Sequence, residues 1–362
     1  MEAISMSEFF HSFPAVRGVQ AGRPCFIAMC PLRVIPKIFV FNEFDVPADL
    51  RAQRTLNKNR IPEIANYLLE NRSEYTLSSL TASINGEVEF EQISEQGFSQ
   101  NMGVLKISMD SQILLNDGQH RRAAIEEAIK DLPELGHDQI SVVFFIDEGL
   151  QRSQQMFADL NKHAVRPSTS IATLYDHREA LSNVARHIMT HVKIFSRLTE
   201  VEKASISNRS TKLFTLSAIK SATQALLSKK KNENISENES ELAAEFWQFV
   251  CDQMEDWRLA SERQLQPAEL RSEYIHSHGL ALHAIGMIGS ELIHDRASWV
   301  ILKGLSDIDW SRHHKQWSTR ALSNGRVSKS SKNIRLTANL IKTQLGLALT
   351  EKQKELENGF NN

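Results

Sequence analysis

The sequence predicts an α+β protein in two parts: a mixed domain over residues 1–175 and a mostly helical domain over residues 176–362. Three observations lead there. Alternating or continuous apolar runs, such as VVFFI at 142–146, gather in the first half. After Ser170 the strand signals fade and helical spacing dominates. The chain, at 362 residues, is also long for a single domain.

Taken in order, Pro14, Pro24, Pro31, Pro36 and Pro47 punctuate an irregular start. PCFIAMC and KIFVFNEF read as two short strands. In RAQRTLNKNRIPEIANYLLEN, Leu56, Ile61, Ile64 and Leu68 recur at helical spacing, and Pro62 starts a second helix after a break at Arg60. YTLSSLTASING alternates through Leu80, Ala82 and Ile84 and ends at an Asn85-Gly86 turn. VLKISMDSQILLNDG reads as a hairpin turning near Asp110-Ser111. QHRRAAIEEAIKDL is a helix with Ala124, Ile125, Ala128 and Ile129 on one side, ISVVFFID a strand, and GLQRSQQMFADLNKHA a helix with Met156, Phe157 and Leu160 facing inward. Helices follow at 171–195, 211–228, 239–257, 280–294, 297–305 and 334–346. SKKKNENISENES, 228–240, reads as an exposed loop or a disordered insert. No internal repeat is visible.

A hydrophobic fraction of 41% and a charged fraction of 24% allow a core of ordinary size. No run approaches the ~18 apolar residues of a membrane helix. MEAISMSEFFHSF lacks a basic start followed by an apolar block, so the reading is a cytoplasmic protein with no membrane partner. Cys25, Cys30 and Cys251 are too few, and wrongly spaced, for a disulfide framework or a zinc knuckle; they read as small buried hydrophobes. No metal site is indicated. Net charge is −2, yet the charges are segregated. Residues 232–257 carry eight acidic side chains and no Lys or Arg, whereas 310–350 carry eight Lys/Arg and no Asp or Glu. A cationic face can hide inside a neutral total in this way.

The stretch LLNDGQHRRAAIEEAI, 114–129, joins a strand end, a turn and a helix start. Gly118 lets a bound group approach the backbone, and Gln119, His120, Arg121 and Arg122 supply donors in the first helical turn: a phosphate site. Cations at a helix N-terminus oppose the dipole, a conflict that function would explain. Packing explains the residues equally well, with Asp117 capping the helix, Gly118 making the turn and Arg122 pairing with Glu126. Arg54, Lys58 and Arg60 either face the same cleft or form a solvated helix face. Asn161, beside Lys162, His163 and Arg166, either reaches a ligand or caps a helix before Ser168 starts the next.

GRVSKSSKNIR alternates Lys/Arg with Ser and Asn, groups that bond phosphate oxygens. Arg312, Lys315, Arg320, Arg326, Lys329, Lys332 and Arg335 are the candidate DNA contacts. If all eight cations of 310–350 met phosphates, log affinity would fall against log salt with a slope of about −7. Trp310 and Trp317 could stack on bases but read more readily as core. The competing reading docks the basic stretch on the acidic 232–257 segment.

DGQHR with the following RAAI resembles the signature of the DGQHR-domain family. QRTLNKNRIPEIANYLLEN, QMFADLNKHAVRPSTSI, HSHGLALHAIG, IDWSR, Trp317 and GRVSKSSKNIRLTANLIK extend the likeness over nearly the whole chain, which resembles the DndB family of regulators of DNA phosphorothioation (sulfur modification) gene clusters. The resemblance implies a repressor acting on duplex DNA of its own operon promoter, phosphorothioated DNA included. It also implies a ParB/sulfiredoxin-like N-terminal domain whose strand-turn-helix contacts nucleotide phosphates. A palindromic operator would call for a homo-oligomer. Two alternatives stand beside it. One is a hydrolase of ATP with Mg²⁺, with Asp117 on the metal or water and His120 as acid/base; there is no Walker A motif, and non-enzymatic action is the leading reading. The other is a scaffold for the modification proteins.

Overall fold

A computed structural model describes residues 9–39, 60–146, 156, 159–160, 167–207, 209–230 and 232–361. The protein is mixed: a sheet-rich N-terminal region precedes a mostly helical C-terminal part. It divides into two compact units, Met1–Val165 and Arg166–Asn362. The division precedes the boundary expected at 175. A helix at Thr169–Tyr175 belongs to the second unit, where Ser170 Oγ donates to the Lys203 carbonyl at 2.9 Å and to Ser217 Oγ at 3.2 Å.

The first unit is built on strands β1 (Phe10–Gln20), β2 (Arg23–Pro31), β3 (Leu80–Asn85), β4 (Val88–Gln92), β5 (Met102–Ser108), β6 (Gln112–Asp117) and β7 (Gln139–Ile146). Their order is β4-β5-β1-β2-β7-β3-β6, antiparallel except for the β3–β7 pair. Alternation sets the faces. Phe26, Ala28 and Cys30 of β2, and Ile140, Val142 and Phe144 of β7, are buried, while Ile27 and Met29 point to the exposed face. Helices α2 (Arg60–Glu70) and α3 (Gln119–Asp131) cover the buried face with Ala65, Leu68, Ala124, Ile125 and Ala128. A short helix, α1 (Ile35–Ile38), lies between β2 and α2.

Two local expectations change. KIFVFNEF does not begin as a strand: Pro36 sits in the first turn of α1, where its missing N–H costs nothing, and Phe39 ends it; residues 40–44 lie outside the described residues. VLKISMDSQILL is not a hairpin either. β5 pairs with β1 and β4, β6 pairs with β3, and the two stand apart in the sheet order. The Asn85-Gly86 turn likewise joins β3 to a strand it does not pair with. The two turns meet instead, with Ser108 N donating to Glu87 O at 3.1 Å and Ser111 Oγ to the same oxygen at 3.2 Å.

In the second unit the expected 171–195 helix is three: α4 (Thr169–Tyr175), α5 (Ala180–His191) and α6 (Lys193–Leu198). Asp176 Oδ1 accepts from the N–H groups of Arg178 and Glu179 and makes the first break. Next come α7 (Leu216–Leu227), α8 (Glu237–Asp252), α9 (Glu255–Ser261), α10 (Pro267–Glu273), α11 (Gly279–Leu292), a 3₁₀ segment (Arg296–Asp307), α12 (Ser331–Gln344) and α13 (Glu351–Asn361). The polar 228–240 segment is not wholly loop. Ser236 and Glu239 form a reciprocal capping box that starts α8, and Lys229 pairs with Glu239 at 2.9 Å. Helix α11 is buried on most sides and packs on α7 at Gly286, where a Cβ would stand 2.2 Å from the Ala222 carbonyl oxygen. Trp247, Trp257, Phe195, Phe214 and Phe246 fill the surrounding core.

Candidate functional site

The DGQHR turn is a tightly tied joint. β6 buries Ile113, Leu115 and Asn116, and ends at Asp117. Gly118 then turns the chain with φ 107°, and a Cβ there would lie 2.3 Å from Leu80 Cδ2. That conformation favours glycine, and a Cβ would have to displace the buried Leu80 side chain. Gly118, not Asp117, is the N-cap of α3, and no side chain caps the helix. Asp117 pairs instead with Arg121, Oδ2 to Nη2, at 2.5 Å. Arg121 also donates to Ser78 Oγ, and its Nε is buried without a hydrogen-bond partner. Gln119 donates its amide to the carbonyls of Leu115 (3.1 Å) and Asn116 (3.2 Å). Arg122 donates to Phe39 O (3.0 Å) and Pro36 O (2.9 Å) and pairs with Glu126 at 2.7 Å. The donors of Gln119 and Arg122, expected to face a phosphate, thus hold α3 to the end of β6 and to α1.

His120 and Arg60 lie at the same joint. Arg60 opens α2 and is exposed. Partial burial, followed by the Arg60 and Arg121 charges, moves the His120 imidazole below its ordinary range, with Asp117 opposing. His120 is therefore neutral at pH 7: it offers one N–H and one lone pair rather than a cation. Asp117 as a Mg²⁺ ligand would first have to leave Arg121. Among the described residues no cluster of His, Cys, Asp and Glu is arranged to hold a metal. Arg54 and Asn161, with Lys58, Lys162, His163 and Arg166, lie outside the described residues.

The basic stretch divides sharply. Arg320 is half-buried and paired with Glu357, so it closes α13 onto the unit and is not a surface contact. Lys342, 3% exposed, pairs with Glu291 at 2.7 Å. Arg312 donates to Ser272 O (3.0 Å) and Gly325 O (2.9 Å). Lys315, Arg326, Lys329, Lys332 and Arg335 are exposed, and none has an ion pair among the described residues. Arg326 and Lys329 also line a cavity together with Arg312 and Arg271. Arg271 carried no local sequence signal; the fold brings a helix distant in sequence to this wall.

Neither tryptophan is a base platform. Trp310 and Trp317 stack at 5.3 Å with 8° between planes, and both are buried. Their indole N–H groups donate to Leu305 O at 3.0 Å and Asp309 O at 2.8 Å. Among the described residues the acidic segment makes no ion pair with the basic one. Glu239, Glu245, Glu255 and Asp256 meet Lys229, Arg296, Arg258 and His276. Cys25, Cys30 and Cys251 are free thiols, and burial pushes Cys30 up to about 12.

No helix among the described residues is long and apolar enough to cross a membrane. No curated protein and no solved structure matches the chain. A family model does: that of DndB, described as DNA-sulfur modification-associated, matches residues 13–348. The match spans both units, the DGQHR joint and the basic stretch, and the chain belongs to the DndB family of proteins associated with DNA sulfur modification.

Proposed function

We propose that the protein is a DNA-binding transcriptional regulator, a repressor of a DNA phosphorothioate-modification gene cluster. The observation that carries this is the set of exposed side chains Lys315, Arg326, Lys329, Lys332 and Arg335, which have no carboxylate partner among the described residues. Unpaired surface cations interleaved with Ser and Asn are what a phosphate backbone recognises. Family membership supplies the system in which the protein works. Because Arg320 and Lys342 are paired inside the unit and Arg312 is bonded to the Ser272 and Gly325 carbonyls, the salt slope is about −4.5, five contacts at about −0.9 each, rather than the −7 of eight free cations.

In this reading the cations give affinity and register, and base recognition lies elsewhere. The DGQHR joint, through His120 and Arg60, is where a nucleotide or a modified backbone would be sensed. A two-fold operator would require two copies of the chain. ATP hydrolysis fits less well, because Asp117 is held by Arg121. The test is fluorescence anisotropy with a labelled duplex from the protein's own promoter, with a scrambled duplex as competitor. Competitor-resistant binding supports a regulator. Binding no tighter than to the scrambled duplex removes the reading and leaves hydrolysis or scaffolding.

A further inference from the structure

The second unit contains a cavity of about 720 Å³ walled by Arg271, Arg312, Arg326 and Lys329, against the single carboxylate of Glu269. Small-molecule sites commonly measure ~300–1,000 Å³. A further space of about 310 Å³ shares Thr215, Ala218, Gly279 and Lys329 with it, so the two adjoin at that corner. There two helices begin. Thr215 caps α7, and His278 precedes α11. The helix starts nearly touch: a Cβ on Gly279 would stand 2.9 Å from Ala218 Cβ and 3.8 Å from the Lys329 ammonium.

This arrangement is electrostatically unfavourable when empty. Helix N-termini are the positive ends of their dipoles and prefer anions. The chain instead sets Lys329 beside the start of α11 and lines the same cavity with Arg312 and Arg326. None of these three side chains has an ion pair among the described residues. His278 registers the crowding: burial first, then Arg312, Lys329 and Arg271, pull its imidazole down to about 4. Arg271, also in the lining, is fixed by the carbonyls of Lys212, Ser207 and Ser210 and is 9% exposed.

We propose that this cavity binds a phosphorylated small molecule of nucleotide size, its phosphates held between Lys329, Arg326 and Arg312 at the paired starts of α7 and α11. The partly apolar remainder, with Ile206 and Val327, takes the rest of the ligand. The site lies in a different unit from the DGQHR joint and shares Arg326 and Lys329 with the proposed DNA contacts.

The test is isothermal titration of the full chain with inorganic pyrophosphate and with ADP. The variants are Lys329→Glu, Lys329→Ala and Arg326→Ala, all at exposed side chains, with thermal melts to confirm folding. Lys303→Ala, exposed and outside the cavity lining, serves as the control, and Arg60→Ala reports binding at the DGQHR joint. Both probes bind the parent protein; Lys329→Glu weakens them by at least about tenfold and the alanine variants by about three- to tenfold, while Lys303→Ala changes nothing. Absence of heat with both probes overturns the proposal. So does binding that follows Arg60→Ala and ignores Lys329→Glu. If neither probe binds but Lys329→Glu abolishes duplex binding, the cavity cations serve DNA alone; the proposal fails and the regulator reading survives.

Discussion

The carboxylate of Asp117 and the guanidinium of Arg121, one helical turn apart, meet at 2.5 Å across Gly118. The most conspicuous charges of the first unit are thus engaged with each other. The pair is partly exposed, with side chains 42% and 20% accessible, so its contribution is modest. Asp117→Asn lowers stability by about 1 kcal/mol in urea unfolding and leaves duplex affinity within about twofold. A loss of affinity beyond about tenfold would place Asp117 in the DNA machinery.

Gly118 tolerates substitution far less. Gly118→Ala combines an unfavourable φ of 107° with a clash on Leu80. The expected cost is about 2–4 kcal/mol by urea denaturation. A change below about 0.5 kcal/mol would mean that the joint relaxes freely.

The buried cations are distinguishable from the exposed ones. Lys342→Ala removes a 3%-exposed ammonium from Glu291 and costs about 2–3 kcal/mol, less than a fully buried pair because Glu291 is 48% exposed. Its effect on the salt dependence of DNA binding is nil. Lys332→Ala and Arg335→Ala do the reverse, each reducing the slope by about 0.9 with melting unchanged.

Stability falls in acid through His278. The unfolded imidazole titrates near 6.5 and the folded one near 4, so between those values the unfolded state binds more protons. The loss runs from about pH 6.5 down to about pH 4 and amounts to about 3 kcal/mol. His278→Gln keeps a donor for the Arg271 carbonyl, bonded at 2.9 Å from Nε2, and removes the titration. The difference in urea midpoint between about pH 7.5 and about pH 4.5 shrinks in that variant. An undiminished difference would assign the acid sensitivity to other groups.

All five tryptophans are buried, at 0–6% exposure. Acrylamide quenching is therefore weak, and duplex DNA leaves the emission unchanged. A marked change on DNA addition would mean that Trp310 or Trp317 leaves the core to stack on bases.

Alternation made β2, β3 and β7 legible, because a half-buried strand writes its faces at a period of two. Pairing was not legible: Asp110-Ser111 marks a turn, yet turn chemistry cannot say that β5 will choose β1 and β4. The division among the cations was equally hidden. Arg320 and Arg335 look alike in sequence, but only Arg320 meets Glu357, a contact made when α13 folds back. The DGQHR stretch was ambiguous for a physical reason, since the same donors satisfy a phosphate or a strand end. The structure spends those of Gln119 and Arg122 on carbonyls and on Glu126.

The most direct test of the central claim is the salt dependence of binding to the promoter duplex, measured for the parent protein and for Lys332→Ala/Arg335→Ala. The account predicts specific binding with a slope of about −4.5, falling to about −2.7 in the double variant. Binding indistinguishable from a scrambled duplex, or a slope untouched by the two substitutions, would contradict it.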